Sequence, residues 1–387
     1  MAWNGTVSSL SPSADENGTA ASTPMLGLGH PFAALAVVSS LWVVIALVGI
    51  TGNALVILSA VLSERVRTTT NVLVVNLSVA DLWTCLALPW TSVALVSRGR
   101  WPLATEVPCE IAAFMWHTGL GASLYNLALI AVNRAVRITQ PLPTYNRLFS
   151  PCSMACLVTA SWLVPVSVIA VPLWCGVGKL GHDLKFDTCT DEDHHETAGI
   201  YNRVQTTGFY PVPMVTVVVC YTVIYVHVRR HFGKQTRMSK TKISRSTDNL
   251  EASSTGAVSG TSVTSVSLEI SQTTSGEGAT GGKTGRGRRI SSQQLQITKN
   301  LFYVVCAFTL CVSPYFISLF IPGSQHLALY LATVLICNSC VNPVIYAAKH
   351  PQFKTVMRPL MRCRLSDVPQ PSRALVTILS RMQKQRE

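Results

Sequence analysis

The sequence predicts an all-α membrane protein, a bundle of seven transmembrane helices followed by a short amphipathic eighth helix. Hydrophobic residues make up 48% of its 387 residues and charged residues only 13%, whereas a soluble domain averages about 25% charged residues. Seven apolar runs are each long enough to cross a bilayer. Basic residues gather on alternate connections between these runs, which is the pattern of a multi-pass membrane protein.

The predicted spans are runs of about 20 residues or more, the length that a helix needs to cross the hydrocarbon core. They lie at 34–60, 71–96, 107–138, 153–174, 202–230, 296–321 and 327–349. The third and the fifth exceed the required length, so we expect both to project into the cytoplasm. An odd number of spans places the two termini on opposite sides of the membrane.

The distribution of Lys and Arg fixes the orientation of the chain. Of the 31 basic residues, only five fall on one side of the predicted spans, namely Arg98, Arg100, Lys179, Lys185 and Arg203. The other side is therefore predicted to be cytoplasmic and the N-terminus extracellular, in a multi-pass protein of the plasma membrane. The net charge of +13 does not indicate nucleic-acid binding, because the basic residues flank apolar runs instead of covering a solvated surface.

The bundle is predicted to occupy residues 34–350. Residues 1–33 are predicted to be a disordered extracellular tail, with glycosylation sequons at Asn4 and Asn17. The connection 235–292 is rich in Ser, Thr and Gly, which predicts a disordered cytoplasmic loop. Residues 351–387 are predicted to form the amphipathic helix, lying on the inner leaflet, and a cytoplasmic tail.

Two modification sites are predicted on the cytoplasmic side. Ser291 follows Arg288-Arg289-Ile290 in a sequence that resembles a basophilic kinase site. The alternative is a basic juxtamembrane stretch that holds the inner end of the sixth span. Cys363, at the end of the amphipathic segment, is a palmitoylation candidate, with a free cytosolic cysteine as the alternative.

Each span carries a landmark, and the landmarks follow the order found in rhodopsin-like G-protein-coupled receptors. They are Gly52-Asn53, the segment Asn76–Leu82 with Asp81, Cys109 with Asn133-Arg134, Trp162, Pro213 with Tyr221, Phe308 with Pro314, and Asn342-Pro343-Val344-Ile345-Tyr346. The chain therefore resembles this family from residue 52 to residue 353. The resemblance implies a receptor, not an enzyme, that acts on a heterotrimeric G protein and has arrestin and receptor kinases as further partners.

By this resemblance, the G-protein contact site comprises Arg134, Asn133, Ile138, Pro141, Tyr221 and Tyr346. The arginine usually pairs with an adjacent acid in this family, but its neighbour here is Asn133. An inner acid on the sixth span is also missing, because Gln294 and its neighbours are uncharged. We therefore predict raised basal signalling. Val312 replaces the tryptophan that couples ligand binding to helix movement, whereas Pro314 keeps the hinge.

Asp81 is an ionisable residue at mid-membrane, and such residues are functional by default. In the family, this position and those that match Ser123, Asn338, Ser339 and Asn342 surround a sodium ion. All of these side chains offer oxygen atoms, which suit a hard cation. The resemblance implies an allosteric sodium site that favours the inactive state, with a protonated carboxyl in a polar helix interface as the alternative. No other metal or cofactor is predicted.

The family joins the positions of Cys109 and Cys189 by a disulfide, and the resemblance implies the same bond on the oxidising extracellular side. Cys175 is a third cysteine on that side. The outer loop also carries the acidic and His residues Asp183, Asp187, Asp191, Glu192, Asp193, His194, His195 and Glu196. A zinc site within Asp191–Glu196 and a solvated acidic loop are the alternatives. The solvated loop is favoured, and such a loop also steers cationic ligands.

The ligand pocket is expected between the outer halves of the third, fifth, sixth and seventh spans. Its predicted lining is aromatic and nearly uncharged, and comprises Trp116, His117, Leu120, Phe209, Tyr210, Tyr315, Phe316 and Leu319. Amine receptors carry aspartate where Trp116 stands, and opsins carry the retinal-binding lysine where Ile336 stands. Neither of these ligand classes is therefore expected, and a lipid or another apolar small molecule fits best.

Within this family, the chain is similar to the melatonin-receptor group. The shared residues are Asn133-Arg134, Cys189-Thr190, Val212-Pro213-Met214, Cys220-Tyr221 and Asn338-Ser339-Cys340. Phe209 and Pro172 replace a histidine and an asparagine of that group, which removes hydrogen bonds that a polar indole needs, and Pro343 replaces its usual alanine. The resemblance implies inhibitory G-protein coupling with a ligand other than melatonin. A constitutively active receptor without a dedicated ligand and a seven-helix transporter are the alternatives.

Overall fold

The computed structural model describes residues 30–230 and 292–385, and the side chains of residues 292–301 and 304 are not described. Eleven α-helices are present in these ranges: α1 (Phe32–Leu62), α2 (Thr69–Ser97), α3 (Val107–Thr139), α4 (Leu142–Leu148), α5 (Pro151–Trp174), α6 (Ala198–Phe209), α7 (211–230), α8 (Ser292–Ser318), α9 (Ala328–Lys349), α10 (Pro351–Met361) and α11 (Arg373–Lys384). A hairpin of β1 (Leu180–Asp183) and β2 (Thr188–Asp191) lies between α5 and α6. The tail 1–29 and the connection 231–291 lie outside the described residues.

Six of the predicted spans are the single helices α1, α2, α3, α5, α8 and α9, and the fifth span consists of α6 followed by α7. The structure therefore confirms the seven-helix fold. We call the end of the bundle that carries Cys109 the outer end, and the end that carries Arg134 the inner end. Among the described residues, five segments are long and apolar enough to cross a membrane: Phe32–Leu62, Thr69–Ser97, Pro151–Trp174, Ala198–Arg230 and Ser324–Lys349. The apolar part of α8 that the structure describes is Val305–Ser318.

The third span is less apolar than α1, α2, α5 and α9 because it lies in the middle of the bundle. It is 33 residues long, and its buried positions include His117, Asn126, Asn133 and Arg134. α3 packs against α2, α5, α6, α8 and both strands. Most of its surface therefore meets protein instead of lipid, and polar residues are tolerated at that interior surface.

Small residues allow neighbouring spans to approach closely, and the resulting van der Waals contacts stabilise helix pairs in lipid. A Cβ atom at Gly119 of α3 would lie 2.2 Å from Thr84 Oγ1 on α2. A Cβ atom at Gly52 of α1 would lie 2.8 Å from Pro343 Cβ on α9. Only glycine fits at these two contacts without a shift of the neighbouring helix.

The fifth span is interrupted where α6 ends at Phe209 and α7 begins at residue 211. Pro211 and Pro213 lack the backbone N–H that would bond to the carbonyl four residues earlier, so two helical hydrogen bonds are missing. The sequence predicted one continuous helix from residue 202. The structure instead places the break at Tyr210, beside the outer cavity described below.

The hairpin covers the outer end of the bundle and is attached to α3. β1 and β2 pair antiparallel, with His182 opposite Cys189. The disulfide between Cys109 and Cys189 joins the first turn of α3 to β2, as the resemblance implied. Cys175, in contrast, is free and exposed.

The inner end carries more structure than the sequence predicted. The amphipathic segment after the seventh span forms α10, which ends at Met361. The chain then turns back towards the connection between α1 and α2 and forms the second amphipathic helix, α11. The sequence predicts only one helix followed by a tail, so α11 is an addition to the predicted architecture.

We predict that replacing Cys109 and Cys189 with serine lowers the melting temperature of the purified receptor by about 5 °C or more. The bond closes a separation of 80 residues in the sequence, and removing a disulfide typically costs about 2–4 kcal/mol. A fluorescence thermal-shift measurement checks this prediction. The matched control is Cys175→Ser, which removes a free outer cysteine and should leave the melting temperature unchanged. Equal shifts in the two variants would contradict the proposed role of the bond.

Candidate ligand pocket and coupling site

A cavity of about 620 Å³ opens at the outer end of the bundle. Its floor is apolar and contains Leu88, Trp116, Leu120, Phe316 and Ile336. A cavity of this size, lined by aromatic side chains with a few polar groups, is typical of a small-molecule site.

The structure brings together seven of the eight residues that were predicted to line the pocket. These are Trp116, His117, Leu120, Phe209, Tyr315, Phe316 and Leu319. Tyr210 does not line the cavity. Its hydroxyl donates to Ser313 Oγ at 3.0 Å, and its ring stacks on Phe316 at 4.7 Å between centroids. Tyr210 therefore supports the pocket wall from behind.

The expectation of a nearly uncharged pocket is wrong at the outer mouth. The hairpin and α6 place charged side chains there, namely Lys185, Asp191, Asp193 and Arg203. Sequence reasoning missed them because a loop has no periodicity that tells which of its side chains turn towards the bundle. The pocket thus has an apolar floor and a polar roof.

The centre of the polar roof is a contact between Asp191 and His117. His117 Nε2 lies 3.4 Å from Asp191 Oδ1, and its Nδ1 lies 2.8 Å from the Ala113 carbonyl oxygen. Burial alone would raise the pKa of Asp191, but the hydrogen bond and the charge of His117 outweigh it and lower that pKa below its ordinary value. Asp191 therefore faces the cavity as a carboxylate that already has a partner.

The acidic outer loop is folded, which corrects the favoured prediction of a solvated loop. Asp183 is almost completely buried, and its carboxylate accepts hydrogen bonds from the backbone N–H groups of Lys185, Phe186 and Asp193 at 2.9–3.1 Å. Burial raises the pKa of Asp183, and these donors act in the opposite direction. No group of three metal-ligating side chains occurs among the described residues.

Two ion pairs fix the hairpin further. Lys179 Nζ lies 2.7 Å from Glu192 Oε1, and Lys185 pairs with Asp193. The hydrogen bond to Glu192 is the main cause of a raised pKa at Lys179. Most of the acidic side chains of this loop are therefore occupied by bonds that shape the hairpin.

Asp81 forms the centre of a polar cluster midway along the bundle. It is fully buried. Its Oδ1 accepts a hydrogen bond from Ser123 Oγ at 2.6 Å, and its Oδ2 accepts one from Asn342 Nδ2 at 2.8 Å. The second, third and seventh spans are thereby tied together through one carboxylate.

The residues around Asp81 fit a small hard cation. The side-chain oxygens of Asn338 and Asn342 are buried and have no hydrogen-bond partner, and Ser339 interacts with the same carboxylate. Ser123, Ser339 and Asn342 therefore surround the Asp81 carboxylate, and Asn338 lies one helical turn before Asn342 on α9 with a buried oxygen that lacks a donor. Such a donor set suits sodium better than a transition metal.

Arg134 lies at the inner end and has no acidic partner in the described part of the chain. Its side chain is almost completely buried, and its Nε makes no hydrogen bond. The ion pairs found in the described ranges all lie at the outer end. This agrees with the missing acids noted in the sequence, although the side chain of Gln294 lies outside the described residues.

Asn133 has partners of its own, which the sequence did not reveal. Its Nδ2 donates to the hydroxyl of Tyr145 on α4 at 3.1 Å, and its Oδ1 accepts from Thr70 Oγ1 on α2 at 3.2 Å. Neutral hydrogen bonds thus connect α2, α3 and α4 at the position where the family has an acid.

The other predicted coupling residues surround this region. Ile138 packs with Ala135 and Ile224, and Pro141 precedes α4. The hydroxyls of Tyr221 and Tyr346 are buried without a hydrogen-bond partner. Two tyrosine hydroxyls and one guanidinium are therefore held in the interior with unused hydrogen-bonding capacity.

His350 is a functional candidate that the sequence analysis missed. It is buried and lies between α9 and α10, where its Nδ1 accepts a hydrogen bond from the Phe353 backbone N–H at 3.5 Å. Burial, with a contribution from the charge of Arg134, lowers the pKa of His350 to about 4. The neutral ring therefore caps α10 close to the coupling site.

Three predicted modification sites, Asn4, Asn17 and Ser291, lie outside the described residues. Cys363 is exposed just after α10 and has a positive φ of 53°. Its modification stays a prediction.

Comparison with known proteins identifies the family. The family described as "7 transmembrane receptor (rhodopsin family)" matches residues 52–346. The receptor moody of Drosophila melanogaster, a G-protein-coupled receptor, is 26% identical over 86% of this chain and 51% of its own length. The 5-hydroxytryptamine receptor 1B of Equus caballus is 27% identical over 80% of this chain and 82% of its own. The chain spans about half the length of the moody receptors that it matches.

The fold comparison agrees with the sequence comparison. The crystal structure of squid rhodopsin superposes with a TM-score of 0.65 at 17% identity, covering 90% of this chain and 92% of that one. The chain belongs to the rhodopsin family of seven-transmembrane receptors. It is therefore a multi-pass membrane protein of the G-protein-coupled receptor class, and the family consists of receptors, not enzymes.

Proposed function

We propose that this receptor binds a small molecule in its outer cavity and transmits the signal to a heterotrimeric G protein at its inner end. One observation carries the proposal: a single helix, α3, contributes to every functional layer. It supplies Trp116 and His117 to the cavity, Ser123 to the Asp81 cluster and Arg134 to the inner end. The orientation with an extracellular N-terminus in the plasma membrane follows from the basic residues.

The cavity favours an apolar ligand with one hydrogen-bonding end. The floor offers aromatic and aliphatic contacts, and the roof offers the His117–Asp191 pair and the buried Gln205, whose Nε2 has no partner. Because Asp191 is already paired, a cationic ligand would have to displace His117. We therefore propose a lipid-like or other apolar small molecule whose polar end lies under the hairpin.

Other ligand classes receive less support from these residues. Relatives named for 5-hydroxytryptamine and adrenergic ligands match this chain, but Trp116 stands where amine receptors carry their aspartate. Ile336 is buried and lines the cavity where opsins carry lysine. The similarity to the melatonin-receptor group remains a hypothesis based on shared residues. Phe209, which lies in the cavity wall, replaces the histidine of that group and cannot hydrogen-bond to a polar indole. We therefore propose a ligand other than melatonin.

At the inner end, we propose coupling to a G protein, with inhibitory coupling inferred from the melatonin-receptor resemblance. Arrestin and receptor kinases are the further proposed partners. Because Arg134 is not held by an acid in the described residues, we propose that the receptor signals without ligand. A constitutively active receptor that lacks a dedicated ligand is the second candidate, favoured by the same observation. A transporter is not favoured, since the described parts of the spans show no paired intramembrane charges.

The signalling proposal is tested in cells by measuring cAMP and calcium at matched surface expression, with and without a library of apolar compounds. We expect basal signalling above the vector control. Arg134→Ala should abolish both basal and ligand-induced signals, because it removes the group offered to the G protein. Leu120→Trp should reduce only the ligand-induced signal, because it fills the cavity floor.

The outcomes separate the two candidates. The second candidate, a receptor without a dedicated ligand, would be supported by basal signalling together with the absence of any ligand-induced signal that Leu120→Trp lowers. The absence of basal signalling at confirmed expression would contradict the unrestrained arginine, and high-affinity binding of melatonin would contradict the proposed ligand class.

We also propose that the Asp81 cluster binds sodium and that the ion favours the inactive state. Sodium should lower basal signalling of wild-type membranes by roughly fivefold, which corresponds to a coupling of about 1 kcal/mol. Asp81→Asn removes the charge that the cation needs and should abolish this sodium effect. Nucleotide exchange on membranes in sodium or in N-methylglucamine chloride measures it. An equal response of both receptors, or no response of either, would contradict the site.

A further inference from the structure

The segment that follows α10 folds back against the connection between α1 and α2. Ser63 Oγ donates to the Pro369 carbonyl oxygen at 2.6 Å. The Glu64 N–H donates to Gln370 O at 2.9 Å, and the Ser372 N–H donates to Leu62 O at 2.9 Å. These three hydrogen bonds hold the last part of the described chain at the inner end of the first span.

Apolar contacts complete this attachment. Val368 and Leu375 are almost completely buried and belong to the cluster that contains Leu62 and Val66. The helix α11 is capped by Ser372, whose side chain accepts a hydrogen bond from the Leu375 N–H at 3.4 Å. α11 is therefore a fixed part of the fold and not a free tail.

α11 is amphipathic, and half of its apolar stripe is uncovered. Apolar residues recur at positions 375, 378, 379 and 382, which is the spacing of one helical face. Leu375 is buried by the bundle, whereas Ile378 is 42% exposed and Met382 is 43% exposed. Met361, at the end of α10, is 53% exposed.

The charge of the segment indicates what covers this stripe. Residues 368–385 contain no acidic residue, and the polar side of α11 carries the exposed Arg373, Arg381 and Lys384. The preceding α10 and its connection to α11 add the exposed Arg358, Arg362 and Arg364. A basic polar side with an apolar stripe is the composition of helices that lie on anionic membrane surfaces.

The position of α11 fits the same surface. It packs against the inner end of α1, where Leu58 and Val61 are each 46% exposed on a transmembrane helix and hence face lipid. α11 thus lies next to the lipid-facing surface of α1. A second copy of the chain is a poorer fit, because two such basic helices would repel each other.

We propose that α11 is a second membrane-surface helix, which inserts Ile378 and Met382 into the anionic inner leaflet while Leu375 holds it to the receptor. The connection 362–372 is then fixed by the bundle, and the part of α11 beyond Leu375 is fixed by lipid. The inner ends of α1 and α10 gain an anchor that depends on lipid charge.

The test uses the full-length receptor in nanodiscs with an environment-sensitive fluorescent amino acid at position 382. The matched control places the same residue at position 377, on the opposite side of α11. In discs rich in phosphatidylserine, brominated acyl chains should quench the probe at 382 several-fold more than the probe at 377. Arg381→Gln and Lys384→Gln should each lower the ratio of lipid-bound to unbound α11 about fivefold, because each basic residue near an anionic surface contributes about that factor to the binding equilibrium.

Several results would overturn the proposal. One is equal quenching at positions 382 and 377. The others are a change in the fluorescence of the probe at 382 that occurs only when G protein is added, and a fluorescence change that depends on the number of receptors in each disc. A second measurement needs no substitution. Trypsin should cleave after Arg381 more slowly in discs rich in phosphatidylserine than in phosphatidylcholine discs, and equal rates would also overturn the proposal.

Discussion

The bonds of Asp81 are the constraint on which the rest of the bundle depends. A carboxylate is costly at mid-membrane unless side chains solvate it, and here Ser123 and Asn342 provide that solvation. Asp81 lies on α2, Ser123 on α3 and Asn342 on α9. The free-energy cost of burying the carboxylate is therefore offset only when these three helices are aligned so that both donors reach it. The polar cluster therefore selects one arrangement of helices that apolar packing alone would leave loosely defined.

This arrangement makes α3 the axis of the receptor. The disulfide and the His117–Asp191 contact fix its outer end to the hairpin, and the hydrogen bonds of Asn133 fix its inner end to α2 and α4. A ligand under the hairpin contacts residues of the same helix that presents Arg134. Neutral bonds at the inner end resist a change of state less than a buried ion pair would, because no charge is left unpaired when they break.

Much of this architecture follows from the sequence. The seven apolar runs gave the spans to within a few residues, since hydropathy reports directly on burial in lipid. The outer disulfide and the partners of Asp81 followed from the family resemblance. The structure forms the disulfide and brings Ser123, Ser339 and Asn342 to Asp81. Seven of the eight predicted lining residues also lie in the pocket wall; the exception is Tyr210, whose hydroxyl donates to Ser313.

The features that were missed depend on contacts between residues far apart in the chain. The hairpin roof is held by hydrogen bonds from backbone N–H groups to the Asp183 carboxylate and by ion pairs such as that of Lys179 with Glu192. A loop sequence does not indicate which acidic residues form such bonds. The partners of Asn133 come from two other helices. α11 was not predicted, because its position depends on the bonds of Ser63 and Ser372 to the opposite segment and on the burial of Leu375 against the bundle.

The most direct test of the account concerns the neutral inner end. Basal nucleotide exchange on purified G proteins should be measured for the wild-type receptor and for Asn133→Asp, both reconstituted in nanodiscs, with Thr144→Asp on exposed α4 as the control. The new carboxylate lies next to Arg134 and should stabilise the inactive state, so basal exchange should fall roughly fivefold for about 1 kcal/mol of coupling, while the control stays at the wild-type rate. Unchanged or increased exchange in Asn133→Asp would contradict the account.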